Sequence, residues 1–217
     1  ESVADLTEII NILMTPENKD SIVFYDGAKN ILLGVLLRMK EKSLSISLPS
    51  ALDYIRDFDD ISDLLRDLAN SNDKTVQKIE SEISESSGNK NLFASVLNAL
   101  SKAFNFLNTE VIRDSILCNA DQFNLKEVLM KPKQIVILQY EMQYKELTKT
   151  LFGATVAHIF RILQSNLNRK PVLILLDEII NSAPIPDFSG KLNTIRSMKM
   201  PTFLYLQSFE GLNRLYG

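Results

Sequence analysis

The spacing of the apolar residues changes at Pro132, and that change confines the chain to two regions of unlike architecture. Over about 21–128 apolar residues recur three and four positions apart, the period of one helix face, without continuous strand-like runs. Phe24, Ala28, Ile31, Leu32, Val35 and Leu36 make one broad face and predict a helix over about 21–41. Pro49 follows a short extended stretch; Ser50 is then expected to cap a helix through Ile55, and Asp59 a helix over 60–68. Residues 74–83 are a further helical candidate, and 84–90, with Ser86, Ser87, Gly88 and Asn89, read as a loop. Leu92, Val96, Leu97, Leu100, Phe104 and Leu107 form an amphipathic helix. This region reads as all-α.

Beyond Pro132 the apolar runs become short and unbroken. Residues 134–139 predict a strand through Ile135, Val136, Ile137 and Leu138, and a helical pattern follows over about 144–166. Pro171 opens a second run over 172–176, a helix is expected over 189–198, and Pro201 opens a third run over 202–206. Strand, helix, strand, helix, strand requires crossover connections and so a parallel sheet. Unbroken apolar runs predict strands buried on both faces.

Composition sets the class. Of 217 residues 45% are hydrophobic and 24% charged, enough for one large domain or two small ones with real cores. The net charge of -3 argues against non-specific DNA binding by the isolated chain, which needs clustered Lys and Arg. A nucleic-acid role requires a local basic face or an oligomeric ring. The single cysteine, Cys118, excludes an internal disulfide and a Cys-rich metal site and fits a reducing compartment. Apolar stretches such as 31–37 are far short of the ~20 residues that span a bilayer, and there is no signal-peptide pattern, so these residues read as soluble.

Open parallel sheets place ligand chemistry at the carboxyl ends of their strands. The three runs end there in Gln139, in Asp177 and Glu178, and in Gln207. Two readings of the acidic pair stand. In one it is a solvated strand end. In the other it is a Walker B motif, with Asp177 holding Mg²⁺ through water and Glu178 orienting or deprotonating an attacking water. Gln207, at the end of the next strand, is placed to touch a γ-phosphate or the lytic water; Arg196, in the intervening helix, to serve as an arginine finger. Each has a plainer reading too, as a strand-end amide and a solvated helix-end arginine.

Taken together, the string VLILLDEIINSAPIPDFSGKLNTIRSMKMPTFLYLQSFEGLNRLYG resembles the Walker B to sensor segment of the TraG/TraD-like coupling proteins of type IV secretion. The likeness rests on Asp177 and Glu178, the turn ending in Ile185 and Pro186, then Arg196, Gln207 and the closing Leu215-Tyr216-Gly217. Arg196 follows Asp177 by 19 positions and Gln207 follows Arg196 by 11, spacing that suits the family's finger and sensor. FYDGAKNILLGVLL, upstream, is similar to the helix opening the family's all-α domain. Ala183 stands where many relatives have glycine, and Ile179 where an aromatic is frequent.

The resemblance implies a RecA-like α/β motor domain, here partial, with an inserted all-α domain. Residues 1–20 would join motor domain to insertion, 21–130 form the all-α domain, and 131–217 supply the Walker B to sensor part. It implies an ATPase using ATP and Mg²⁺, with Glu178, Arg196 and Gln207 in catalysis and Asp177 and Gln207 in binding. It further implies a homo-hexamer on the cytoplasmic side of the cell membrane, anchored by a segment outside this chain, although these residues alone are compatible with a monomer. The implied partners are relaxase and relaxosome proteins, DNA, and secretion-channel components.

No G-x-x-x-x-G-K-[ST] occurs in the sequence. Gly190-Lys191 is followed by Leu192, and Ile185 occupies the upstream glycine position, so no backbone phosphate cradle is expected there. The chain therefore reads as a piece of a larger motor, inactive alone. Two alternatives are a non-catalytic module that recognises a relaxase or accessory protein, and a hexameric DNA motor of the FtsK/HerA kind. His158, Cys118, Phe93, Phe104 and Phe106 read as structural, and Asp57, Asp59, Asp60 and Asp63 as a solvated face or a partner-docking surface. Lys131, Lys133, Arg169 and Lys170 flank strand starts and receive no function.

Overall fold

The computed structural model describes residues 3–14, 21–58, 60–86, 90–117, 124–139, 144–179, 185, 188–195 and 197–216. Two compact units divide the chain, Glu1–Ala120 and Asp121–Gly217.

The first unit is built around one helix. Helices α1 (Val3–Leu13), α2 (Ile22–Glu41), α3 (Leu48–Arg56), α4 (Ile61–Ala69), α5 (Lys74–Ser86), α6 (Lys90–Ala103) and α7 (Glu110–Leu117) follow in order, with a 3₁₀ turn at Asn105–Asn108 before α7. Every residue of α2 from Ile31 to Met39 is buried, as expected of a helix apolar around its whole circumference. It packs against α1, α3, α4, α5 and α6. Gly27 permits the approach of α6: a Cβ there would lie 3.0 Å from Val96 Cγ2. Ile10, Leu13 and Met14 of α1 and its end are buried, so α1 packs within this unit.

Two helix starts fall one to three residues earlier or later than expected. Ser47, not Ser50, caps α3: it is extended (φ -147°, ψ 162°) and its Oγ accepts the Ser50 N–H at 3.1 Å. Pro49 then lies in the first helical turn, where its missing N–H costs nothing. Asp60 caps α4 through the Ser62 N–H. Asp59 and Cys118 lie outside the described residues.

A polar cluster joins α2, α3 and α4. Asp67 accepts from Arg38 (3.1 and 3.4 Å), Lys42 (2.7 Å) and the Tyr54 hydroxyl (2.5 Å). Arg38, itself buried, also donates to Glu41 at 2.8 Å, and Glu41 accepts from Ser71 Oγ and from the Asn72 backbone and side-chain amides. Burial pushes the Asp67 carboxyl up, but Arg38, Lys42 and Tyr54 outweigh it and hold it at about 2. The Ser71 hydroxyl, the Asn72 N–H and Arg38 hold Glu41 at about 2 as well.

The second unit contains α8 (Leu125–Met130), α9 (Lys145–Gln164), β1 (Ile174–Asp177), α10 (Phe188–Thr194), β2 (Thr202–Tyr205) and α11 (Phe209–Tyr216). Helix α8 packs on α9, so it belongs here and not with the helical region that precedes it. β1 and β2 pair in parallel, Ile174 opposite Thr202 and Asp177 opposite Tyr205. Arg169 fastens their amino ends. Its guanidinium donates to the carbonyls of Leu163, Lys170, Met198 and Lys199 at 2.6–3.2 Å, a buried cation satisfied by backbone alone.

Two expectations for the sheet do not hold among the described residues. Residues 134–139 are not a strand: Ile135 and Ile137 are 87% and 80% exposed and no ladder reaches them. An apolar β-branched run supplies propensity, but a strand exists only through its partner's hydrogen bonds. The strands are also not buried on both faces: Ile174 and Leu176 point inward, while Leu175, Phe203 and Tyr205 are more than half exposed. No described helix is long and apolar enough to cross a membrane.

Candidate active site

The acidic pair sits where β1 ends. Asp177 is the last residue of the strand and Glu178 follows it, and both are exposed at the carboxyl edge. The ladder continues one residue past the strand, because the Glu178 N–H donates to the Tyr205 carbonyl at 3.1 Å. Glu178 itself adopts φ 49°, the left-handed region that costs an L-residue with a side chain roughly 1–2 kcal/mol. Its carboxylate meets the Gln207 side chain: Nε2 donates to Glu178 Oε1 at 2.5 Å. Glu178 is therefore tied to the end of β2 twice, through its backbone and through its carboxylate. Arg196, Ala183, Pro186 and Gly217 lie outside the described residues.

Ile179 and Ile185 are each 2% exposed. The Ile185 N–H donates to the Tyr216 hydroxyl at 3.1 Å, and the Tyr216 ring lies 5.0 Å from Phe188, which meets Phe160 edge-on at 6.3 Å. Burial pushes the Tyr216 hydroxyl above its ordinary value, with the Ile185 N–H pulling the other way. Ser208 Oγ accepts the Gly211 N–H at 3.1 Å and so caps α11 directly after Gln207. The sequence marked Tyr216 only as part of a terminal string. Nothing local marked it, because its partners Ile185 and Phe188 lie about 30 residues away along the chain.

The donor set suits a cation that arrives with its own oxygen ligands. No cluster of three or more His, Cys, Asp or Glu occurs among the described residues. Mg²⁺ bound to phosphates needs only one or two protein carboxylates, keeps several waters and requires no protein cage. A single exposed Asp177 at a strand end meets that requirement.

A sequence model of the family described as "Type IV secretory system Conjugative DNA transfer" matches residues 1–217. The chain belongs to this family. No curated protein sequence matches it. Among solved structures, it is similar to the bacterial conjugative coupling protein TrwBdeltaN70 in a trigonal form with sulphate, with a TM-score of 0.70 at 12% identity over 100% of this chain and 49% of that one. It is also similar to the plasmid coupling protein TrwB with ADP and Mg²⁺ (TM-score 0.64, 12% identity, 100% and 50%) and with the ATP analogue ADPNP (TM-score 0.63, 12%, 100% and 50%). At that identity the likeness shows the fold, that of a conjugative coupling protein, and this member of the transfer family spans about half the length of the solved chains it matches.

Proposed function

We propose that these residues form the hydrolytic half of the ATPase site of a conjugative coupling protein, a motor that passes DNA and its relaxase to a type IV secretion channel. The observation that carries this reading is the contact of Gln207 with Glu178 at the shared carboxyl edge of two parallel strands, beside Asp177. It is supported by the family match over residues 1–217 and by solved TrwB structures that hold ADP with Mg²⁺ and ADPNP.

In this reading Asp177 would hold, through water, Mg²⁺ that would supply neutralisation of charge on the phosphates of ATP. Glu178 takes the proton from the attacking water as its oxygen bonds to the γ-phosphorus, and the bond to the ADP oxygen breaks. Gln207 fixes the Glu178 carboxylate and reaches the γ-phosphate side of the site. Arg196 serves the nucleotide of the neighbouring subunit in a homo-hexameric ring. The phosphate cradle, absent from the sequence of these 217 residues, comes from elsewhere in the motor, as does a membrane anchor that holds the ring at the cytoplasmic face of the membrane. The helical unit is the inserted all-α domain, with relaxosome proteins as its partners.

The test is DNA transfer from donor cells lacking the gene, complemented with the complete reading frame. Wild type restores transfer and Asp177→Asn, made at equal level, does not. Transfer by Asp177→Asn at the wild-type frequency would refute the reading.

A further inference from the structure

The two paired strands leave one apolar face bare. Register sets Leu175 beside Phe203 and Asp177 beside Tyr205. Alternation along each strand turns these four side chains to the face opposite Ile174 and Leu176. Leu173 extends the row, because the ladder begins earlier: the Val172 N–H donates to the Lys199 carbonyl and the Ile174 N–H to the Pro201 carbonyl. Leu173, Leu175, Phe203 and Tyr205 are each more than half exposed. A contiguous apolar surface of a few hundred Å² marks a contact surface. We infer that this face is the seat of a further part of the same polypeptide, the part that carries the phosphate cradle, which reaches Asp177 along the strands.

The chemistry of the patch argues for a permanent cover. Parallel sheets occur almost only with both faces covered. None of the four side chains is charged, and an interface without charge at its centre resembles a domain core cut in two, the character of obligate contacts. The geometry then selects what the cover carries. The row Leu173, Leu175, Asp177 runs from apolar face to carboxyl edge, so a body seated on the two leucines meets the carboxylate at its end. A cradle on the opposite face would have the strand between itself and Asp177. The sequence of these residues contains no such cradle, and they span 49% of the solved coupling-protein chain they match.

This inference rests on the reading of Asp177 as the Mg²⁺ ligand, and the two fail separately. The first measurement is hydroxyl-radical oxidation, read by mass spectrometry, of the purified protein of the complete reading frame. Phe203 and Tyr205 should be oxidised at least about tenfold more slowly in the folded protein than after unfolding in urea, as for the core of an interface. Slowing of only about twofold is what their exposure of 56% and 57% gives for a bare face, and would overturn the inference. Protection that disappears on dilution would assign the face to a second copy and overturn it equally. The second measurement addresses the cradle. Leu175→Lys in the same protein, folded by circular dichroism, should bind Mg²⁺-ADP at least about tenfold more weakly, although Leu175 lies two residues from Asp177 and touches no phosphate. Wild-type affinity in the folded variant would show that the cover does not carry the cradle. If the variant does not fold, oxidation of the unsubstituted protein decides. DNA transfer by Asp177→Asn at the wild-type frequency would overturn the reading of Asp177, and oxidation of Phe203 and Tyr205 would still decide whether the face is covered.

Discussion

Replacing Asp67 by asparagine tests whether the polar cluster is what fastens α4 to α2. The carboxylate accepts from three residues on two other helices, at 2.5–3.4 Å. Asparagine keeps the shape but supplies one acceptor oxygen and turns an NH₂ toward donors. Arg38, 9% exposed, then has no full anionic partner on α4. Leaving a largely buried cation short of its partner costs about 2 kcal/mol at a site that still touches water. The pH dependence supplies a second magnitude. The Asp67 pKa falls from 3.8 to about 2 on folding, so its contribution is complete above the unfolded value and is lost as pH drops from about 4 to 2. At ~1.4 kcal/mol per unit that is a little over 2 kcal/mol, which solvent screening reduces to about 1 kcal/mol. Glu41 titrates over the same interval and keeps its partners in the variant, so some slope remains. Urea unfolding followed by circular dichroism should show Asp67→Asn less stable by about 2 kcal/mol at pH 7, the gap narrowing by roughly 0.7 kcal/mol near pH 2.5. A gap below about 0.3 kcal/mol at pH 7, or one that does not change with pH, would refute the argument.

Two further expectations concern the nucleotide site. Arg196→Ala should lower kcat by about 10³-fold, and mixing it with subunits lacking a working phosphate cradle should restore hydrolysis at mixed interfaces; no recovery in a steady-state ATPase assay returns Arg196 to a surface role. The isolated 217-residue chain should bind ATP more weakly than about 100 μM by calorimetry, since its sequence contains no P-loop pattern, and a Kd of a few micromolar would contradict that.

The change in period at Pro132 made most of the helices and both strands legible, because burial of one face imposes the spacing locally. Asp177, Glu178 and Gln207 were legible for a related reason: polar residues ending apolar runs must emerge at one edge if the runs are parallel. What the sequence left hidden depends on partners far along the chain. Asp67 lies 29 residues from Arg38 and 13 from Tyr54, and nothing local marks it over Asp57 or Asp63. Arg169 read as a strand-flanking charge because its four acceptors are carbonyls, which every residue has. The run at 135–138 failed as a strand because propensity does not specify a ladder partner. The left-handed turn at Glu178 was unmarked too, since no glycine or asparagine announces it.

If Glu178 is the base of an ATP-hydrolysing site, its amide variant should bind nucleotide and fail to hydrolyse it. The direct measurement is a paired one on the complete protein, Mg²⁺-dependent ATP hydrolysis beside nucleotide affinity, for wild type and Glu178→Gln. The amide fills the same space at the strand end, so affinity should stay within about threefold, while hydrolysis falls by about 10²–10⁴-fold for want of a proton acceptor. Hydrolysis by Glu178→Gln at the wild-type rate, with nucleotide still bound, would contradict the claim.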